Sequence, residues 1–215
     1  MAIVKNGVDG SFSGKVGSLV GYEWRGIPVI RGLPNRKKRA PTISELTNRE
    51  KMRLMQDFLK GSIHFVRIGF SLEVANKKMS AFNAAMSYNK KNAFMGDYPN
   101  LVINHQKLLL SMGNLPKPKD VEVLLLEEGV LFRWNTDDIP ENTNMRTILF
   151  IKADYMPISA MIIGGESANV GEEVLAFGSS NKKIPKGEKV HLFMAFVTIM
   201  HDAISDSVYC GTLEN

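Results

Sequence analysis

The residues able to carry chemistry are few and scattered. Four histidines, His64, His105, His191 and His201, stand apart from one another, and none forms an HxH or HExxH pattern or has a cysteine at metal-ligand spacing. The single cysteine, Cys210, rules out an internal disulfide and sits in an apolar stretch beside Tyr209, where a buried, inert thiol is expected. A Cys210–His201 nucleophile would need a motif that the sequence lacks. The neighbouring carboxylates Glu127-Glu128, Asp137-Asp138 and Glu172-Glu173 fall at predicted turns, where adjacent carboxylates are usually solvated; a general acid needs an apolar pocket to raise its pKa. Gly14-Lys15 superficially resembles a phosphate-binding loop, but Val16 stands where a Ser or Thr would have to follow the lysine. No GxSxG elbow, dinucleotide fingerprint or calcium loop is present. The expectation is a protein that is not an enzyme and needs no cofactor and no metal.

What the sequence offers instead is positive charge beside aromatic rings. The 215 residues carry a formal net charge of +5, and the excess is concentrated in residues 1–60, which hold 12 Lys or Arg against 5 Asp or Glu. The densest point is Arg36-Lys37-Lys38-Arg39, between Pro34 and Pro41, whose rings hold the run extended. Upstream, Arg25 and Arg31 alternate with Tyr22 and Trp24. These eight residues are the candidate binding set: arginines and lysines attract phosphate or acidic protein surface through a salt-screened field, and aromatic faces can stack on bases. The competing readings are a solvated linker for the basic run and a half-buried strand for the aromatic stripe.

The elements that position these residues can be read from periodicity. Gly7, Gly10, Gly14, Gly17 and Gly21 recur in a regular pattern, but a helix carrying five glycines would lose about 1 kcal/mol at each relative to alanine, so turns, bulges and close backbone approach are expected. Ser18 to Leu33 reads as a β-hairpin: Val20, Tyr22 and Trp24 alternate, Arg25-Gly26 turns, and Ile27, Val29 and Ile30 return, with Pro28 marking an edge. Such a hairpin is marginal alone, so its aromatic face should be covered by the following helices or by another molecule. Helices are predicted over about 43–60, starting at a Thr42/Glu45 capping box, then 63–74 and 77–88, followed by a strand within 101–111. Leu115-Pro116-Lys117-Pro118-Lys119 reads as a stiff linker, placing a domain boundary at 114–120.

Residues 120–215 read as all-β, with strands predicted at 121–126, 130–135, 147–153, 159–163, 173–177, 189–200 and 207–213. Turn-rich stretches such as Gly164-Gly165 and Pro185-Lys186-Gly187 separate them. Seven short strands in about 95 residues match an immunoglobulin or fibronectin III-like β-sandwich, with Trp134 as its central core residue. The fold class is therefore α+β: an N-terminal β-hairpin plus helices over 1–114, then a sandwich over 120–215.

The strings GSFSGKVGSLVGYEWRGIPVIRGLP, AFNAAMSYNKKNAF and YPNLVINHQKLLLSMGNLP resemble a family of Bacteroidota proteins known only as a domain of unknown function. The resemblance implies the two-part plan and a bacterial source, and it carries no activity or site residues with it.

The functional expectation is a structural or protein-interaction protein that docks a protein partner or further copies of itself. Nucleic-acid binding by the basic segment is the alternative, and an enzyme with a deep polar pocket the second. No apolar run reaches the roughly 18 residues of a membrane helix and the N-terminus lacks a signal-peptide core, so no membrane insertion and a cytoplasmic location by default are expected.

Overall fold

A computed structural model of the chain describes residues 2–4, 10–33, 39–127, 129–141, 143–153, 159–176 and 187–214. The fold is mixed α+β and divides into two compact units, Met1–Thr42 and Ile43–Asn215.

The first unit is one antiparallel sheet of β1 (Ala2–Val4), β2 (Phe12–Val16), β3 (Leu19–Trp24) and β4 (Ile27–Gly32), in that order. The predicted hairpin is β3–β4. Its turn residues Arg25 and Gly26 have φ of 50° and 76°, the paired left-handed conformation whose twist suits a two-residue hairpin loop. The hairpin is, however, only half of the sheet. The glycine-rich segment before it also supplies strands, and one glycine explains how they fit: a Cβ on Gly21 would lie 2.2 Å from the Phe12 carbonyl oxygen and 2.7 Å from the Phe12 ring, so only glycine lets β2 cross there. Pro28 lies on the edge strand, where it removes no ladder hydrogen bond.

In the second unit, α1 (Ile43–Gly61) buries Met55, Phe58 and Leu59 at helical spacing. Helix α2 (Ile63–Gly69) is shorter than predicted: a Cβ on Gly69 would lie 2.2 Å from the Leu110 carbonyl oxygen, and the chain turns away immediately afterwards. Helix α3 (Ala81–Asn92) starts four residues later than predicted, because the Ser80 hydroxyl accepts from the Asn83 amide and caps it. The strand predicted within 101–111 shrinks to a two-residue pairing of β5 (Phe94–Met95) with β6 (Val102–Ile103) and a 3-10 turn at His105–Lys107. The rest of that segment is held by side chains instead of a strand partner. Asn89 of α3 donates to the Leu109 carbonyl (2.7 Å) and accepts from its amide (2.8 Å), and Ser207 Oγ accepts from the Leu110 amide (2.8 Å).

Seven strands follow: β7 (Lys119–Leu125), β8 (Gly129–Asn135), β9 (Met145–Ala153), β10 (Ser159–Ser167), β11 (Glu172–Ala176), β12 (Lys189–Thr198) and β13 (Val208–Glu214). They form two antiparallel sheets, β11-β8-β7 and β10-β9-β12-β13. One core lies between the sheets, built from Val130, Phe132 and Trp134 of β8 against Leu149, Ile151, Leu192, Met194 and Phe196. The opposite face of the four-stranded sheet, with Ile148, Phe150, Phe193, Ala195 and Val197, packs on the helices in a second core. Strands β9 and β12 are therefore buried on both faces, which is why 192–197 reads as an unbroken apolar run. Because the helices and the four-stranded sheet share a core, the boundary predicted at 114–120 falls inside one compact unit. The stretch meant as a linker is pinned where the Leu115 amide donates to the Ile204 carbonyl at 3.0 Å.

Candidate interaction surface

Strand alternation places Val20, Tyr22 and Trp24 on one face of the N-terminal sheet, and the register brings Lys15, Ile27, Val29 and Arg31 beside them. The Arg25 guanidinium lies 5.9 Å from the Trp24 ring centroid and that of Arg31 lies 5.7 Å from Tyr22. Each arginine thus covers one face of a ring, an arrangement worth about 0.5–1 kcal/mol at an exposed site. The other face of the sheet carries Phe12, Val16, Leu19 and Ile30. Tyr22 and Trp24 are 39% and 44% exposed and Ile30 57%. The one buried residue among the described residues of this unit is Gly21, which has no side chain to bury.

Of the remaining candidates, Arg39 is described and exposed, whereas Arg36, Lys37 and Lys38 lie outside the described residues. So do Glu128, Phe177 and the Pro185-Lys186 pair. The structure thus brings together Tyr22, Trp24, Arg25 and Arg31 on one hairpin. Chemically, this surface presents apolar contact area flanked by guanidinium forks, suited to carboxylate or phosphate recognition. A hollow of about 50 Å³ beside Tyr22, Glu23 and Pro28 has room for little more than a water or two.

The second unit holds a side-chain cluster that sequence reasoning missed. His105, from the 3-10 turn, stacks on His191 of β12 with ring centroids 3.6 Å apart and an interplanar angle of 17°. His191 Nδ1 lies 2.9 Å from the Tyr209 hydroxyl, which in turn meets Thr212 Oγ1 on β13. Phe58 of α1 lies 5.6 Å from the His105 ring, and Lys152, the cross-strand neighbour of His191, lies over Phe58. The stack joins helix, turn and sheet; its members are too far apart in sequence for spacing to reveal them. His64 and His201 are exposed, on α2 and in the turn after β12.

Cys210 packs against the core between the sheets, and burial pushes its thiol up to about 12, which leaves almost no thiolate near neutral pH. The carboxylates flagged by sequence act locally: Glu172 accepts from Arg133 Nε at 2.9 Å, Asp138 from Lys119 at 2.5 Å, and Glu173 from the Thr147 hydroxyl and the Glu166 amide. Among the described residues, no three His, Cys, Asp or Glu side chains are placed to hold a metal ion, and no helix is long and apolar enough to cross a membrane.

The model of the family of unknown function DUF6266 matches residues 11–211. The chain belongs to DUF6266. The match begins at the foot of β2 and ends in β13, so three of the four strands of the N-terminal sheet lie within the extent of the DUF6266 domain. No curated protein matches the chain.

Proposed function

We propose that this DUF6266 protein is a structural or protein-interaction component, without catalytic activity, that associates with copies of itself through the N-terminal sheet. One observation carries the reading: a single-layered sheet keeps Ile3, Val16, Leu19, Tyr22, Trp24 and Ile30 exposed across its two faces, while Gly21 is its one buried described residue. A sheet that fully buries no side chain among its described residues has little to hold it together in water, and clustered exposed apolar area marks an interaction site. Charge supports a partner of the same kind. Residues 1–42 hold eight Lys or Arg against two Asp or Glu, and residues 43–215 nineteen against twenty, so every copy carries a cationic arm and a slightly acidic body.

The body itself is best read as an immunoglobulin or fibronectin III-like sandwich. Its seven strands split three and four around Trp134, and its first, second and fifth strands share one sheet, as in immunoglobulin constant domains. The fourth strand pairs with the third instead of the fifth. A rigid sandwich of this kind supplies the scaffold on which an interaction arm is displayed.

The test is sedimentation of the full chain from roughly 10 µM to 1 mM, the range in which weak self-association registers. The average mass should climb above 23.9 kDa and return to it in a Tyr22→Ser/Trp24→Ser variant. A mass that stays monomeric at every concentration contradicts the proposal.

Nucleic-acid binding is the second reading, favoured by the same cationic excess and by the two arginine–aromatic pairs. It requires an affinity for a fluorescent oligonucleotide that falls steeply with salt. It also requires that replacing Arg25 and Arg31 by alanine weaken the complex. Absence of binding at about 50 mM salt removes it.

A further inference from the structure

Helix α3 and the turn-rich segment after α2 line an open groove of about 260 Å³ on the surface of the second unit. At ~30 Å³ per water this groove has room for about eight. Ala84, Ser87, Tyr88 and Lys91 recur at helical spacing on α3 and form one wall. The apolar part of the lining adds Phe70, Met79 and Met112, and thioethers are well suited to a ligand of irregular shape.

The charges at the groove decide the sign of the ligand. Lys77 and Glu73 both line it and pair with each other, so they contribute no net charge. Lys91 has no carboxylate partner among the described residues. The helix dipole alone could favour a lysine in the last turn of α3, but it does not account for the apolar hollow beside that lysine. An apolar groove with a few convergent polar groups, Ser87 and one uncompensated ammonium here, is the usual constitution of a small-molecule site.

We infer that this groove binds a small monoanion with an apolar body, its charged end at Lys91 and its apolar part against Phe70, Met79 and Met112. A carboxylate on a short alkyl chain is the simplest ligand of this kind. The inference does not rest on the N-terminal sheet.

Octanoate, with octanol as its uncharged counterpart, is the probe. Titrated to about 10 mM against the full chain labelled at the methionine methyls, octanoate should shift the Met79 and Met112 resonances saturably. Octanol should bind more weakly. The exposed substitution Lys91→Glu should weaken octanoate by roughly three- to tenfold, the range of a surface charge pair and its reversal. Ser87→Trp, also at an exposed position, should fill the mouth and abolish the shifts without disturbing α3. The Tyr22→Ser/Trp24→Ser variant should bind unchanged, which separates this site from the sheet. Unmoved methyls at 10 mM, equal binding of octanol, or an affinity indifferent to Lys91→Glu would each overturn the inference.

Discussion

Trp134 shows what one residue can hold together. Its indole N–H donates to the Ala168 carbonyl at 2.7 Å while its ring meets Phe196 edge-on at 6.1 Å, so it ties β8 to the far sheet and to the turn before β11. Trp134→Phe keeps most of the ring but strands a buried carbonyl, and should cost about 1–3 kcal/mol in urea unfolding. Cys210 makes a pH-dependent prediction. A thiol raised to about 12 in the folded state and near its ordinary value when unfolded leaves stability intact below about 9. It then loses stability progressively as pH climbs toward 12, by at most ~1.4 kcal/mol per pH unit. Cys210→Ala should flatten that alkaline decline, and the native thiol should resist a disulfide reagent at pH 8 until the protein is unfolded. Trp134 could be singled out from sequence because it alternates with Val130 and Phe132 in a strand of the all-β half, all three on one face. The His105–His191 stack could not, since nothing local marks a contact made by the fold.

At the level of elements, hydrophobic periodicity located the strands of the second unit to within a few residues, because each alternates or runs apolar between turn residues. It failed where polar side chains replace a ladder. The segment 101–111 has the residue types of a strand, yet its backbone is held by Asn89 and Ser207, which no apolar pattern discloses. Asn89 is fully buried and is satisfied by those two bonds. Asn89→Ala should therefore leave both Leu109 backbone groups unpaired and lower stability by about 2–4 kcal/mol, visible as a fall in thermal midpoint with the far-UV spectrum preserved. The hairpin of the first unit makes a contrasting case. Gly26→Val places a β-branched residue at a φ of 76°, which should splay β3 from β4. Because that sheet anchors neither core, the thermal midpoint should barely move while self-association is lost, a separation that thermal scanning and sedimentation together would detect.

For the molecule as a whole, the boundary anticipated at the proline-rich stretch was displaced by packing. Leu115 and its neighbours look like a linker by composition, but composition does not reveal that the four-stranded sheet buries both of its faces, one of them under the helices. The real division, after Thr42, has a thermodynamic consequence. Among the described residues both hydrophobic cores are made wholly of residues beyond 42, so a chain of residues 43–215 should unfold cooperatively at a midpoint close to that of the full protein. A peptide of residues 1–42, with no buried side chain among its described residues, should show no cooperative transition. The same pair of molecules tests the source of association. If apolar faces drive it, sulfate should strengthen self-association of the full chain, because excluded salts favour burial. If arginines meeting carboxylates drive it, about 0.5 M sodium chloride should dissolve it, because the screening length then falls to a few ångströms. In either case residues 43–215 should sediment as a monomer, and a truncated chain that still assembles would move the interface from the N-terminal sheet to the second unit.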